Sequence, residues 1–247
     1  CGDMLTFFKA NGHNLMRLRL FVNPKNASAE DKGQGVCQDL DYVAKLGKRI
    51  KEKGLAFALD FHYSDSWADP AKQFTPAEWL SLTDEQLTQK IYDYTKDCLE
   101  RLNADGATPD FIQVGNEISY GMLWGKEGGS YKSYYAGRAD NRERFVAFLK
   151  SAARACREMC PAAKVILHTE RVSNQSYSLA FYNDMKAEGV DYDIIGLSYY
   201  PYHHGSLDQL NTTLTALESG FPEKRIMLVE TGYYHDWQPS DVSYDFS

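Results

Sequence analysis

Six short apolar runs alternate along the chain with longer stretches of helical periodicity, and this alternation constrains the fold more than any single residue does. The strand-like runs fall at residues 15–21, 56–62, 111–116, 165–168, 194–200 and 226–230. Between them, residues 37–53 carry Leu40, Val43, Ala44, Gly47 and Ile50 at the three-and-four spacing of one buried helix face. Residues 84–103 repeat the pattern with Leu87, Ile91, Tyr94, Cys98 and Leu102, and further helical stretches cover 141–159, 177–188 and 207–219. Repeated βα units imply parallel strands with helices on the outside, because a parallel pair needs a crossover long enough to hold a helix.

Two of the runs end in a glutamate, Phe111-Ile112-Gln113-Val114-Gly115-Asn116-Glu117 and Arg225-Ile226-Met227-Leu228-Val229-Glu230. An ionised carboxylate at the tip of a buried strand must be paired, solvated or put to use. The two lie far apart in sequence, so only the fold brings them together, and an α/β barrel does so by directing every strand end at one mouth. The expected fold is therefore α/β, a (β/α)8 TIM barrel, and a pair of carboxyl groups at its mouth suits cleavage of a glycosidic bond. At 247 residues and 43% hydrophobic content the chain is long enough to bury a core as one domain, residues 1–247. Six strands against the barrel's eight predict a segment covering roughly strands two to seven, without the first and eighth and incomplete at both ends.

The formal net charge of −7 and a pI near 5.4 weigh against a nucleic-acid partner, which needs a basic surface. No apolar run approaches the roughly 20 residues of a membrane span, and no signal segment opens the chain. The five cysteines, Cys1, Cys37, Cys98, Cys156 and Cys160, lack the CxxC pairs of a zinc site and cannot all pair with one another. Cys37, Cys98 and Cys156 fall on apolar helical stripes, where a free cysteine acts as a small core hydrophobe. The opening Met4-Leu5-Thr6-Phe7-Phe8 reads as the last turns of a helix.

In the run 15–21, Met16, Leu18 and Leu20 alternate with Arg17 and Arg19. Period-two alternation sends the aliphatic residues out toward the helices and the guanidinium groups toward the barrel axis, unless the strand is an exposed edge. Inward arginines require acidic partners. Asp60 and His62, on one face of their strand with Ala58, and the two glutamates are available.

Together the segments Asn14-Leu15-Met16-Arg17-Leu18-Arg19, Asp60-Phe61-His62-Tyr63-Ser64-Asp65-Ser66-Trp67-Ala68-Asp69-Pro70, Gly115-Asn116-Glu117-Ile118, Gly121-Met122-Leu123-Trp124 and Gly196-Leu197-Ser198-Tyr199-Tyr200-Pro201 resemble the endo-β-1,4-galactanases of glycoside hydrolase family 53, in order and at compatible spacing. The chain departs from that pattern at Lys126-Glu127-Gly128-Gly129, where the family carries a proline after the tryptophan.

The resemblance implies a (β/α)8 barrel that cleaves internal β-1,4-galactosyl links of pectic galactan with retention, with Glu117 as general acid/base and Glu230 as nucleophile. It implies β-1,4-galactan and galacto-oligosaccharides as partners, a secreted, cell-surface or periplasmic monomer, and no cofactor for the chemistry. Calcium occurs in some members, on loops near and beyond the seventh strand. Two carboxyl groups with these roles need pKa values that environment drives apart. Arg17, then Arg19, are the expected donors to Glu230, with Tyr200 a further donor. Asn116 suits a sugar 2-hydroxyl.

Asp60, His62 and His168 are candidates for contact with sugar or a catalytic glutamate, against the alternative that each histidine is a satisfied structural group. His203 and His204 read as surface residues. Tyr63, Trp67, Trp124, Tyr199 and Trp237 follow strand ends, and Trp67 and Trp124 are the expected sugar platforms, the alternative being loop packing. Asp65 and Asp69 either reach sugar hydroxyls or cap their loop. None of the histidine or acidic spacings indicates a metal. Two other readings remain open: a related β-glycanase acting on another glycan, and a non-catalytic carbohydrate-binding fragment.

Overall fold

The computed structural model describes residues 3–233, so Cys1 and Trp237 lie outside the described residues. Eight helices appear among these: α1 (Met4–Ala10), α2 (Ala29–Gly33), α3 (Leu40–Glu52), α4 (Asp84–Ala104), α5 (Arg142–Met159), α6 (Gln175–Ala187), α7 (Pro201–His204) and α8 (Leu207–Gly220). They alternate with strands β1 (Leu15–Leu20), β2 (Ala56–Phe61), β3 (Phe111–Val114), β4 (Lys164–Thr169), β5 (Ile194–Tyr199) and β6 (Arg225–Thr231). All neighbouring strands pair in parallel in the order β1-β2-β3-β4-β5-β6. The sheet curls as part of a (β/α)8 barrel, so strongly that Arg17 on β1 reaches Glu230 on β6.

Helix boundaries follow their caps. Thr83 with Gln86 and Ser206 with Gln209 form capping boxes at the starts of α4 and α8. Asp39 accepts from the Tyr42 backbone N–H and starts α3 at Leu40. That start leaves Cys37 outside the helix and exposed, against the core position its spacing suggested, whereas Cys98 and Cys156 are buried. On the inner face of α3, Gly47 lets the helix approach β2 closely: a Cβ there would lie 2.9 Å from the Phe57 ring.

The strands sort their side chains by parity. Leu59, Phe61, Ile112, Val114, Val165, Leu167, Ile195 and Leu197 join the buried apolar cluster. The alternate positions Arg17, Asp60, Gln113, His168 and Ser198 turn to the axis, where they bond to one another or to the strand-end glutamates. In β6 the parity is broken. Met227 pairs with Gly196 and Leu228 with Leu197, but Glu230 pairs with Ser198, so Val229 is an extra residue in the strand. This bulge turns Glu230 to the same face as Ser198, toward the axis, where unbroken alternation would aim it outward.

At the opposite end of the sheet two aspartates fasten the strands in the same way. Asp110, one residue before β3, accepts from the Phe57 N–H of β2 at 2.8 Å and pairs with Lys51 of α3 at 2.7 Å. Asp193, one residue before β5, accepts from the Val165 N–H of β4 at 2.8 Å and pairs with Arg157 of α5 at 2.8 Å. Each carboxylate thus ties a strand to its predecessor and to the helix that leads into that predecessor. Asp193→Ala leaves the Val165 N–H and one arm of Arg157 without this acceptor. The expected loss is about 1–3 kcal/mol, read as a lower urea midpoint at unchanged slope.

Candidate active site

The site is assembled around one guanidinium. Arg17 Nη2 donates to Asp60 Oδ2 at 2.8 Å, Asn116 Oδ1 at 2.9 Å and Gln113 Oε1 at 3.2 Å, while Nη1 lies 2.9 Å from Glu230 Oε1. These partners come from β2, β3, the turn after β3, and β6. Burial alone would disfavour the charge, but Asp60 and Glu230 hold the arginine pKa above its ordinary value. Asp60 is itself fully buried, which opposes ionisation, yet Arg17 and His62 keep its carboxyl well below the usual carboxylate range. Gln113 Nε2 donates to the second Asp60 oxygen at 2.6 Å, and His62 Nε2 lies 3.1 Å from Oδ2.

Glu117 follows the third strand through a tight turn. Gly115 has φ +92°, and a Cβ there would come within 2.5 Å of Ile118. Glu117 itself sits at φ 48°, ψ 53°, a left-handed conformation that costs a side-chain-bearing residue about 1–3 kcal/mol. A 3-10 turn, Ile118–Tyr120, follows, and Ser119 Oγ anchors it by donating to Glu170 Oε2 at 2.8 Å. The Glu117 side chain is held by Ser198, whose Oγ donates to Oε1 at 2.6 Å. Burial, and then the charge of Glu230, push the Glu117 pKa from 4.5 up to about 8, so the carboxyl is protonated at neutral pH.

Glu230 sits in the opposite kind of environment. Besides Arg17 at its Oε1, it accepts from Tyr200 Oη at Oε2, 3.0 Å away, and Arg19 Nη2 lies 3.8 Å from Oε1. Burial and the carboxylate keep the Tyr200 phenol above its ordinary value, so it remains a donor. The backbone N–H of Tyr200 donates to His204 Nδ1 at 3.0 Å. His204, expected at the surface, is half-buried, and burial lowers it to about 4, which leaves Nδ1 free to accept that bond.

Several candidates for contact with sugar or a glutamate lie buried, and His168 accepts from the Glu117 backbone N–H at 3.3 Å. Asp60, His62 and His168 are at most 1% exposed: Asp60 and His168 bond to Arg17, Gln113 and Asn116 on the axis face, and His62, just past β2, packs against Phe21 and Trp67. His62 Nδ1 accepts from the Ala68 N–H at 3.0 Å and so fixes the start of the long loop after β2. Trp124 is 5% exposed, with its indole N–H donating to Tyr120 O at 2.7 Å, which makes it a loop anchor rather than an open platform. Tyr63 and Tyr199 are core residues too, bonded to Thr95 and to Gly205 O. Trp67 stays half-buried, its ring covered by Arg19 at 5.1 Å and flanked edge-on by Phe21 at 5.5 Å. Asn116 donates to Ala68 O at 2.7 Å, which leaves its second amide hydrogen available. Asp65 and Asp69 cap their loop, accepting from Asn23, Asn26 and Ala77 and from Ala71 respectively.

The structure adds Gln113, Ser198 and Glu170 to the expected set. Each has a sequence signal: Gln113 and Ser198 are single polar residues inside apolar runs, and Glu170 is a third glutamate just past a strand end. Glu170 is buried, and burial raises its carboxyl to about 7. Among the described residues no group of three His, Cys, Asp or Glu is placed to hold a metal ion, and no helix is long and apolar enough to cross a membrane.

The raised Glu117 carboxyl has a thermodynamic consequence. As pH rises the unfolded chain loses this proton near 4.5 and the native state only near 8, so the native state loses stability across that interval. Glu117→Gln, an uncharged isostere, escapes the loss. Its stability relative to the parent is expected to rise by about 1.4 kcal/mol per pH unit between these limits, measured by urea unfolding at pH 4, 6 and 8.

A family model described as Glycosyl hydrolase family 53 matches residues 1–246. A protein of Niallia circulans, described as an uncharacterized protein in the bgaB 5′ region, is 40% identical over 231 residues, covering 94% of this chain and 60% of that one. A probable arabinogalactan endo-beta-1,4-galactanase A of Neosartorya fischeri is 34% identical over 241 residues, covering 94% and 61%. The solved Ignisphaera aggregans GH53 catalytic domain superposes with a TM-score of 0.84 at 33% identity, covering 97% of this chain and 63% of that one. The chain thus spans about 60% of the length of these curated relatives.

Proposed function

The chain belongs to glycosyl hydrolase family 53, and from that premise we propose that it carries the active centre of a retaining endo-β-1,4-galactanase, with Glu117 as general acid/base and Glu230 as nucleophile. The observation that carries this reading is the division between the two carboxyl environments. Glu117 is buried, raised to about 8 and held at one oxygen by a hydroxyl, whereas Glu230 meets a guanidinium on one oxygen and a phenol on the other. A protonated acid beside a donor-held carboxylate is the pairing that double displacement needs.

In the first step the Glu117 carboxyl proton passes to the glycosidic oxygen as that bond breaks, while a Glu230 oxygen bonds to the anomeric carbon. In the second, the Glu117 carboxylate takes a proton from water, the water oxygen attacks the anomeric carbon, and Glu230 leaves as a carboxylate. Arg17 and Tyr200 stabilise the Glu230 charge before attack and again on departure, and Asn116 offers its free amide hydrogen to the sugar 2-hydroxyl. The carboxyl pair requires no cofactor. The substrate we assign is the β-1,4-galactan backbone, in line with the name of the Neosartorya relative. A polymer of that size does not enter a cell intact, so the proposed activity belongs outside the cytoplasm or at the cell surface.

Reducing-sugar release from β-1,4-galactan, with none from cellulose, mannan or xylan, tests the reading. Binding of galactan without turnover would favour the non-catalytic alternative. Glu230→Gln is expected to abolish hydrolysis of every substrate, whereas Glu117→Gln retains activity on aryl galactosides whose leaving groups need little protonation. The alkaline limb of kcat/KM on galactan is expected near pH 8, where Glu117 gives up the proton it must donate.

A further inference from the structure

The hydrogen bonds around His168 admit one self-consistent direction. Its Nδ1 faces two N–H donors, Gln113 Nε2 at 3.0 Å and the Glu117 backbone N at 3.3 Å. It also lies 3.1 Å from Asn116 Oδ1, but that oxygen already accepts from Arg17 at 2.9 Å. Two donors against one committed acceptor make Nδ1 an acceptor. Burial, with Arg17 close by, holds His168 well below its ordinary pKa and therefore neutral. The single proton of a neutral imidazole then sits on Nε2, which lies 2.7 Å from Ser198 Oγ.

Ser198 therefore receives a hydrogen from His168 and has its own left to donate, and the acceptor 2.6 Å away is Glu117 Oε1. We propose that Ser198 is a positioning residue for the acid/base: fed by His168, its hydroxyl occupies Oε1 as a donor and so confines the transferable proton of Glu117 to Oε2. This rests on the assignment of Glu117 as acid/base. A carboxyl group accepting a short O–H bond on one oxygen carries its proton on the other, because a proton on Oε1 would face the incoming hydroxyl hydrogen. The buried chain Gln113, His168, Ser198 thus fixes which edge of the carboxyl is the acid. It begins at the same Gln113 that braces Asp60 and Arg17.

The relay also biases the proton equilibrium. The groups acting on Glu117 are Glu230, Glu170, Asp69 and Ser198, and the first three all favour the protonated form. Ser198 alone among them favours the carboxylate. Removing its hydroxyl is therefore expected to move the Glu117 midpoint further up.

The experiment follows the Glu117 side-chain carboxyl by 13C NMR titration in the parent protein, Ser198→Ala, Ser198→Cys and Ser198→Thr, with thermal melts to establish that each is folded. The parent titrates near 8. Ser198→Ala moves the midpoint up by about one pH unit, Ser198→Cys, with a weak thiol donor, moves it the same way, and Ser198→Thr, which keeps an Oγ, restores the parent value. On galactan, Ser198→Ala lowers kcat about tenfold with KM nearly unchanged, and an activated aryl galactoside shows no such loss. A midpoint unmoved in folded Ser198→Ala and Ser198→Cys overturns the relay, whatever the protein hydrolyses. A midpoint that moves in the variants while the parent releases no sugar from galactan overturns the galactanase reading and supports the relay.

Discussion

The Arg17 guanidinium is the interaction on which the rest of the structure depends. It is a half-buried cation whose partners arrive from three strands and a turn: Asp60, Gln113, Asn116 and Glu230. Three acceptors in fixed directions and an ion-paired carboxylate match the planar fork of an arginine, and a lysine ammonium could not meet them all. Breaking such an arrangement leaves charge uncompensated in a low-dielectric interior, worth about 3–5 kcal/mol. The first and last strands of the described sheet are joined through this group, so the contact that spans the curled sheet also sets the electrostatics of Glu230.

Beneath the carboxyl groups lies a buried polar layer. Asp60, His62, Gln113, His168 and Ser198 are all at most 2% exposed. Such a layer is tolerable only when its members satisfy one another, and it gains directional rigidity in return. Glu117 occupies a strained left-handed conformation above it, held from below by Ser198 and from the side by the Ser119 and Glu170 contact. Pre-organisation here resides less in the groups at the mouth than in the amides, hydroxyl and imidazole that fix them.

Much of this was legible in the sequence, and the exceptions have physical reasons. Strand positions followed from apolar run length, and the inward arginines from the alternation in Leu15–Leu20, because both depend on local periodicity. The two strand-end glutamates stood out because a carboxylate there is costly without a partner. Depth was not legible. Alternation tells which face Asp60, His62 and His168 occupy but not how deeply they are buried, so the sequence leaves both roles open, contact with a ligand and support of the groups around it. Trp124 is a similar case, since an aromatic residue after a strand end is equally suited to stacking on a ligand and to anchoring its own loop. Gln113 and Ser198 each stand as a single polar residue inside an apolar run, which marks them as needing a buried partner without telling which one. Cys37 went astray through a cap: Asp39 starts the helix after it, which periodicity alone does not see.

The extra residue at Val229 carries a wider consequence. The face that Glu230 presents is decided not by the identity of its neighbours but by the bulge: two residues separate it from Met227, a spacing that a regular strand would turn to opposite faces, and the extra residue puts both on the axis side. Orientation at the sixth strand is in this sense set by counting. Loss of one residue between Met227 and Glu230 would remove the bulge and leave the carboxylate facing the axis by plain alternation, whereas the present spacing without its bulge would exchange the inside of the barrel for the outside.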